Sequence, residues 1–331
     1  MMGSIELVCP AGSPAMLKAA VEAGADSVYC GLRDETNARN FPGLNFSPEE
    51  LGQAATWAHA RGRKLLVAVN TFARAGQSAR WRASVDAAAT SGADAVILAD
   101  LGLLAYARER WPDLRLHLSV QAAAGSPEAV RFYAQAYGVR RIVLPRVLSV
   151  QEVAALVRET EAETEAFVFG GLCVMAEGRC ALSSYAARRS PNLCGVCSPP
   201  EAVSYTEEDE GLVSRLAGFA LDQYAPGEKA GYPTLCKGRF EARGLRSYLF
   251  EDPVSLNAMS LLAGLKAAGV TAVKIEGRQR GKAYVARVAG AFRQAIDALD
   301  SGADPQAFAP LLTDLAEGGR ETAGAYRKLW R

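Results

Sequence analysis

The residues best suited to chemistry in this chain are its cysteines, five of which lie between positions 173 and 236. Six residues separate Cys173 from Cys180, Cys194 and Cys197 form a Cys-x-x-Cys pair, and Cys236 follows. Thiolates are the usual ligands of iron–sulfur clusters, which need four of them, and of structural zinc. A zinc ribbon pairs two Cys-x-x-Cys knuckles, whereas this segment contains one. The cysteines therefore predict a metal centre, with an iron–sulfur cluster favoured over zinc.

The other two cysteines, Cys9 and Cys30, fall inside short apolar segments, and we interpret them as buried free thiols. Only two histidines are present, which limits zinc chemistry and histidine-based acid–base catalysis. The sequence has no G-x-S-x-G, H-E-x-x-H or P-loop motif. These observations argue against a serine hydrolase, a zinc protease and a P-loop nucleotidase.

The charge of the chain is balanced, with 37 basic and 36 acidic side chains and a net charge of +1. Generic nucleic-acid binding usually requires a clear basic excess, so no nucleic-acid partner is expected.

The first residues show no basic region followed by an apolar stretch, and no apolar run reaches the roughly 18 residues of a membrane span. We therefore expect a cytoplasmic protein with no transmembrane segment.

A pattern that joins an Ala-rich helix end, a glycine and a short apolar strand recurs along the chain. Its copies are LKAAVEAGADSVYC (17–30), VDAAATSGADAVILA (85–99), LKAAGVTAVKIE (265–276) and, more loosely, YAQAYGVRRIVLPR (133–146). Each copy is typical of the αβ half of a βα repeat. Serine–proline pairs at 13–14, 47–48 and 126–127 predict capped helix starts, and Ser47 with Glu50 and Ser149 with Glu152 have capping-box spacing.

Eight short apolar strands can be placed between these helices, at 5–10, 27–31, 64–70, 95–100, 115–120, 140–146, 165–171 and 272–277. Strands that alternate with helices in this way indicate an α/β fold, a (β/α)8 TIM-type barrel, with a doubly wound open sheet as the alternative.

One gap between the predicted strands, the one before the last helix–strand pair, is far longer than an ordinary loop and holds the five clustered cysteines. We divide the chain into the first seven βα units at 1–171, a cysteine-rich insertion after the seventh strand at 172–254, and the last helix–strand pair, closing helix and tail at 255–331. Because loops after strands lie at the active-site face of a barrel, the insertion is expected to cover its mouth.

The sequence around the cysteines resembles the collagenase-like peptidase family, and within it a ubiquinone-biosynthesis branch. The cysteine blocks that carry the resemblance are GLCVMAEGRCALSSY from 171, GVCSP from 195 and GYPTLCKGR from 231. Further blocks extend it nearly end to end: ELVCPAG (6–12), TNARNFPGLNF (36–46), NTFA (70–73), SGADAVILADL (91–101), SVQA (119–122), VLPRVLS (143–149), SLN (255–257), VKIEGRQR (273–280) and GAYRKLW (324–330).

The resemblance implies a hydroxylase subunit that modifies a prenylated quinone precursor without dioxygen, with prephenate as the oxygen donor. It implies a 4Fe-4S cluster on Cys173, Cys180, Cys197 and Cys236, and it assigns no role to Cys194. It also implies a heterodimer with a homologous, UbiV-like subunit and a UbiT-like lipid-binding accessory protein.

Polar residues at or just beyond the C-terminal ends of the strands are the expected site-formers of such a barrel. Arg146 and Arg278 could clamp the two carboxylates of a prephenate-like donor. The alternative for these arginines is a structural salt bridge, such as Arg278 with Glu276 or with a loop carboxylate. We predict catalytic roles for Arg146, Lys274 and Glu276, and substrate or donor binding by Asn70, Gln121, Arg146 and Arg278.

Other functions stay open at the level of sequence. The family also contains RNA-hydroxylating enzymes, for which a basic patch at the barrel mouth would be needed. A non-enzymatic role, as a cluster-bearing scaffold or redox protein that supports its partner, is a further alternative. Peptidase activity is disfavoured because no catalytic motif for it is visible.

Overall fold

The computed structural model describes residues 3–175, 177, 180, 182–188, 197–316 and 319–327. Eight parallel strands form the centre of the fold. They are β1 (Glu6–Pro10), β2 (Ser27–Gly31), β3 (Lys64–Val69), β4 (Ala95–Leu98), β5 (Leu116–Leu118), β6 (Arg141–Val143), β7 (Glu163–Gly171) and β14 (Ala272–Ile275).

These strands close on themselves. Each of β1 to β6 pairs with the next strand in parallel, β7 pairs with β14, and β14 pairs with β1 through Glu6 opposite Ala272. A sheet with this circular order has no free edge among its eight strands, which is the defining feature of a (β/α)8 barrel. The predicted TIM-type fold is therefore confirmed, and the open doubly wound sheet is wrong.

Helices surround the barrel. They are α1 (Pro14–Glu22), α2 (Pro48–His59), α3 (Ser78–Thr90), α4 (Leu101–Arg110), α5 (Pro127–Tyr137), α6 (Val150–Glu159), α8 (Leu262–Ala267) and α9 (Lys282–Asp300). None of the helices among the described residues combines the length and apolar character needed to cross a bilayer.

The predicted helix starts are confirmed. Ser13, Ser47 and Ser126 each accept a backbone hydrogen bond at the first turn, with proline directly after them. Ser47 and Ser149 form complete capping boxes with Glu50 and Glu152. These local contacts satisfy backbone donors that a helix leaves unpaired, so they fix where each βα connection ends.

Between β7 and the next helix–strand pair the chain builds a separate layer of small antiparallel sheets. After α7 (Leu182–Ala187) come β8 (Val203–Glu208), β9 (Gly211–Leu216) and β10 (Phe219–Tyr224), followed by the hairpin β11 (Arg239–Ala242) and β12 (Leu245–Tyr248). The chain returns through β13 (Ser255–Asn257), which pairs antiparallel to β7 and also with β15 (Glu321–Thr322). This segment therefore leaves and rejoins the barrel beside the C-terminal end of β7.

The inside of the barrel is partly ionic. Arg141, at the start of β6, is bonded to Glu6 at 2.7 Å, Glu163 at 2.9 Å and Glu165 at 3.3 Å. Glu165 is fully buried, and Lys274 on β14 contacts it from above at 2.6 Å. A chain of paired charges thus extends along the lower part of the barrel axis.

Candidate functional site

A narrow pocket lies at the C-terminal mouth of the barrel. It is lined by Tyr29, Ala38, Arg39, Ala68, Asn70, Ile97, Ser119, Val120, Gln121, Val143, Arg146, Phe167, Glu177, Lys274, Glu276 and Arg278. Its volume is about 50 Å³, enough for a few water molecules. All six residues predicted for catalysis or donor binding line this pocket, so the structure brings them together; their roles stay predictions.

Arg146 forms a buried ion pair at the pocket wall. Its Nε donates to Glu177 Oε1 at 2.7 Å, and the side chains of both residues are about 95% buried, with exposures of 5% and 4%. A second guanidinium nitrogen donates to the carbonyl of Gly171, and the guanidinium lies 4.5 Å from the ring centroid of Phe167. Burial lowers the pKa of Arg146, but the Glu177 carboxylate and the Cys173 thiol raise it more, so Arg146 stays charged.

Glu276 is held as a carboxylate on the neighbouring side. Arg39 Nε donates to Glu276 Oε1 at 3.4 Å, and the Gly171 amide donates to Oε2 at 3.3 Å. Burial raises the pKa of Glu276, but Arg39 and then Arg146 lower it below its ordinary value. The predicted alternative, an ion pair between Glu276 and Arg278, is not the pairing that the structure shows. Gly171 therefore bridges the two groups, accepting from Arg146 and donating to Glu276.

The glycine pair at the end of β7 makes this bridge sterically feasible. Gly170 has φ +112°, and a Cβ there would lie 2.4 Å from the carbonyl oxygen of Glu276. Only glycine allows both this backbone conformation and so close an approach. The two glycines that end β7 therefore allow its backbone to approach the segment that carries Glu276.

Lys274 lies deeper than predicted. It is within β14, its ammonium group donates to Glu165 at 2.6 Å and lies 3.6 Å from the ring centroid of Tyr29. Burial lowers the pKa of Lys274, and Glu165 partly opposes that effect. Lys274 thus forms the floor of the pocket rather than its rim, and its cation already has a carboxylate partner.

Arg278 and Gln121 are the polar groups that the fold leaves unsatisfied in the pocket. Arg278 is 4% exposed; one of its terminal nitrogens donates to Asn37 Oδ1 at 2.7 Å, while its Nε has no partner in the described part of the chain. No carboxylate among the described residues lies within ion-pairing distance of it, and burial lowers its pKa to about 10. The Gln121 Oε1 atom is also buried without a partner there. Because unsatisfied buried polar groups are rare, these two point to a ligand.

Two further strand-end residues have structural contacts. Asn70 accepts from the Ala38 amide at 3.0 Å and donates to Ser119 at 3.2 Å, which ties the loop after β2 to the loop after β5. Asp100 is the N-cap of α4, where it accepts from the Leu103 amide. Asn70 therefore shapes the pocket through its neighbours, and Asp100 lies outside the lining.

The four cysteines that the resemblance assigns to a cluster lie close enough for the charge of one thiolate to affect the pKa of another. Cys173, Cys180 and Cys236 are partly buried, and Cys197 is exposed. Desolvation raises the pKa of the Cys197 thiol, Arg39 opposes it, and the thiols of Cys236 and Cys180 raise it further. Burial likewise raises the pKa of Cys173, and Cys197 adds to that effect.

This arrangement is compatible with an iron–sulfur cluster in its donor chemistry. Four soft thiols are available as ligands, and the cations of Arg39 and Arg146 lie close enough to Cys197 and Cys173 to offset thiolate charge. Within the described residues no three potential ligands form a ready-made metal cage. Cys194 lies outside those residues. Cys9 and Cys30 are free, fully buried thiols in β1 and β2, as predicted.

The site residues predicted from the sequence did not include two charged residues of the pocket, Arg39 and Glu177. Arg39 lies in the long connection between β2 and α2, and Glu177 lies between Cys173 and Cys180. Neither residue lies at the end of a barrel strand, so the rule that site residues lie at strand ends makes no prediction for them. The available signal was the placement of Glu177 between two candidate ligands in a segment expected to cover the barrel mouth.

Comparison with known proteins identifies relatives along most of the chain. The sequence profile described as peptidase family U32 matches residues 12–323. The chain is 33% identical to the tRNA hydroxylation protein P of Escherichia coli over 94% of its length and 71% of that protein's. It is 30% identical to a Porphyromonas gingivalis protein named collagenase, over 91% of this chain and 67% of the other. It is 28% identical to the Escherichia coli 23S rRNA 5-hydroxycytidine C2501 synthase, over 89% of this chain and 40% of that protein.

Among solved structures, the U32 peptidase Mk0906 matches with 20% identity and a TM-score of 0.42, over 51% of this chain and 70% of the other. At that level the likeness adds nothing to the barrel assignment, which rests on the strand pairings.

Proposed function

Because the chain belongs to peptidase family U32, we propose that it is the iron–sulfur subunit of a dioxygen-independent hydroxylase in ubiquinone biosynthesis, similar to UbiU. Relatives named for tRNA and rRNA hydroxylation support the reaction type, and the sequence blocks of the ubiquinone-biosynthesis branch support the substrate. The described lining of the pocket contains no histidine and no cysteine that could serve nucleophilic hydrolysis. Hydroxylation rather than proteolysis is therefore the activity proposed.

One observation carries the proposal: the cysteine segment contributes directly to the pocket, because Glu177, between Cys173 and Cys180, pairs with Arg146 in the lining at 2.7 Å. Arg146 lines the pocket and is affected by the Cys173 thiol, and Arg39 lines it and is affected by the Cys197 thiol. A ligand in the pocket would thus lie next to whatever the thiols bind. Such adjacency is expected of a redox site and has no evident use in a protease.

Cys173, Cys180, Cys197 and Cys236 would hold the 4Fe-4S cluster. When bound, a cluster held by four thiolates would supply one-electron redox chemistry. The protein contributes binding, orientation and electrostatics around it.

The pocket residues would bind the oxygen donor, prephenate, which carries two carboxylates. Arg278 supplies an uncompensated cation for one carboxylate, and Gln121 Oε1, buried without a partner among the described residues, can accept from a hydroxyl group of the bound molecule. Glu276, held ionised by Arg39, orients that arginine across the mouth. The almost complete burial of these side chains excludes water, which strengthens each electrostatic contact.

The proposed assembly is a heterodimer with a UbiV-like homologous subunit, with a UbiT-like lipid-binding protein presenting the prenylated quinone precursor. The proposed location is the cytoplasm. These partners rest on the sequence resemblance.

The test is complementation under anaerobic conditions. A host without its own copy receives the wild-type protein or the Arg278→Met variant, and ubiquinone and hydroxylated nucleosides from tRNA and rRNA are measured by mass spectrometry. We expect ubiquinone to depend on the wild-type protein and on Arg278, with nucleosides unchanged. Aerobic cultures, where dioxygen-dependent hydroxylation is available, are the control.

RNA hydroxylation is the second candidate, favoured by the names of the curated relatives. Loss of hydroxylated nucleosides with normal ubiquinone would support it and contradict the leading proposal. Normal ubiquinone with the Arg278→Met variant, given an intact cluster, would move the reaction site to the partner and leave this chain a cluster-bearing support.

A further inference from the structure

Glu177 has a special position in the pocket. Among the described lining residues it alone comes from the segment between β7 and β13, while the others lie on barrel strands or on the loops directly after them. It belongs to no helix or strand and lies between Cys173 and Cys180. Its carboxylate therefore reaches into the barrel mouth from the cysteine segment.

The carboxylate of Glu177 occupies an anion position. It accepts from Arg146 Nε at 2.7 Å, and both side chains are about 95% buried. The other lining cations divide into two kinds. Arg39 contacts Glu276 and Lys274 contacts Glu165, whereas Arg278 has no carboxylate partner among the described residues. The pocket therefore offers a ligand one uncompensated cation, Arg278. The charge of Arg146 is already neutralised by Glu177.

The size of the pocket indicates that a lining group must move. A volume of about 50 Å³ accommodates waters but no six-membered ring with two carboxylates. The strand-borne groups are fixed by the barrel, and Glu276 is held by Arg39 and Gly171. Glu177 lies outside the barrel strands, and among the described residues its carboxylate is held by Arg146 alone, so exchange of one ion pair would release it.

We propose that Glu177 is a displaceable internal counter-ion that makes the pocket selective for dicarboxylates. One ligand carboxylate would pair with Arg278, and the second would replace the Glu177 carboxylate on Arg146. A monocarboxylate would pair with Arg278 alone and leave the Arg146–Glu177 ion pair in place. This inference rests on the proposed function, because it assumes that this chain binds a dicarboxylate donor.

The test compares two ligands of similar skeleton by calorimetry under anaerobic conditions: prephenate, with two carboxylates, and phenylpyruvate, with one. Glu177→Gln removes the competing charge and keeps the shape. We expect it to tighten prephenate binding about tenfold, the usual size of such coupling, and to leave phenylpyruvate binding unchanged. By linkage, prephenate should also raise the melting temperature of Glu177→Gln more than that of the wild type.

The control variant is Glu207→Gln, which removes the same charge from an exposed position on β8 and should change neither affinity. Iron and sulfide contents equal to wild type establish that Glu177→Gln is folded, and Glu177→Ala provides a second variant with the same expectation. Equal prephenate affinity in wild type and both Glu177 variants would overturn the inference while leaving the donor proposal intact. Absence of prephenate binding to all of them would overturn both.

Discussion

The ammonium group of Lys274 lies 2.6 Å from the carboxylate of Glu165, and the two side chains are 5% and 0% exposed. Glu165 is also 3.3 Å from Arg141, which continues the charge chain to Glu6 at the opposite end of the barrel. This network occupies part of a barrel interior that apolar side chains usually fill, and a buried cluster that includes Val8, Leu66 and Ile97 fills another part. In this ion-pair network Lys274 neutralises the buried Glu165, a structural role that the sequence does not reveal.

Replacing Lys274 by Met should therefore destabilise the protein. The variant leaves Glu165 buried without its nearest cation, and breaking one partner of a buried pair costs about 3–5 kcal/mol. Urea unfolding followed by circular dichroism would measure the loss. The matched control is Lys266→Met, which breaks the more exposed pair with Asp300 and should cost about 0–1 kcal/mol. Equal losses in the two variants would contradict the assignment.

Stability should also fall in acid because of Glu6. Burial raises the pKa of this carboxyl, but the hydrogen bond and charge of Arg141, with Ser27 and Lys64, lower it from 4.5 to about 2. A carboxyl with a depressed folded-state pKa contributes stability above its unfolded pKa and loses it as pH falls towards the folded value. We expect a loss on the order of 3 kcal/mol between about pH 4.5 and pH 2.

Measuring the free energy of unfolding across that range, in wild type and Glu6→Gln, checks this expectation. The variant should be less stable at neutral pH and should lose less on acidification. For Glu207→Gln, at an exposed position, the free energy of unfolding should depend on pH in the same way as for the wild type. A Glu6→Gln protein with an unchanged acid profile would show that other carboxyls cause the loss.

The cysteines make a third prediction. Anaerobically purified protein should contain about four irons and four sulfides per chain. Replacement of Cys173, Cys180, Cys197 or Cys236 by Ala should abolish the cluster, whereas Cys194→Ala should retain it. Cys30→Ala is the matched control, because that thiol is fully buried in β2. Stoichiometric zinc without sulfide would refute the cluster, and loss with Cys194→Ala but not Cys197→Ala would reverse the assignment of the third ligand.

Local patterns were sufficient to predict the barrel. The repeated helix–glycine–strand phrase and the serine caps are set by contacts within a few residues, so Ser47 and Ser149 cap their helices as expected. Strand ends were less accurate: the segment predicted at 140–146 is a strand only over Arg141–Val143, because the chain turns towards the mouth after it. The strand-end rule nevertheless placed Arg146, Glu276 and Arg278 in one pocket.

The pairing of charges could not be predicted, because it depends on contacts between residues far apart in sequence. Glu276 was a reasonable partner for Arg278 by proximity along the chain, yet it bonds Arg39, which is 237 positions away. Arg146 is likewise neutralised by Glu177 from the cysteine segment. Which cation stays uncompensated is therefore a property of the folded mouth.

The last prediction distinguishes a structural role of Arg146 from a ligand-binding role of Arg278. Arg146→Met leaves the buried carboxylate of Glu177 without its cation, so it should cost about 3–5 kcal/mol of stability. Arg278→Met removes a buried cation that has no carboxylate partner among the described residues, and loses mainly the hydrogen bond to Asn37. Its stability should change by only about 1 kcal/mol.

Replacement of Arg278 should affect ligand binding more than it affects stability. A hydrogen bond to a charged group contributes about 1.5–3 kcal/mol, so Arg278→Met should weaken carboxylate binding roughly ten- to a hundredfold. Urea unfolding and anaerobic calorimetry with prephenate and phenylpyruvate measure the two effects, and both ligands should be affected because both would pair with Arg278. If Arg278→Met were as destabilising as Arg146→Met and bound both ligands normally, Arg278 would be a structural residue, and the pocket would lose the cation on which donor binding depends.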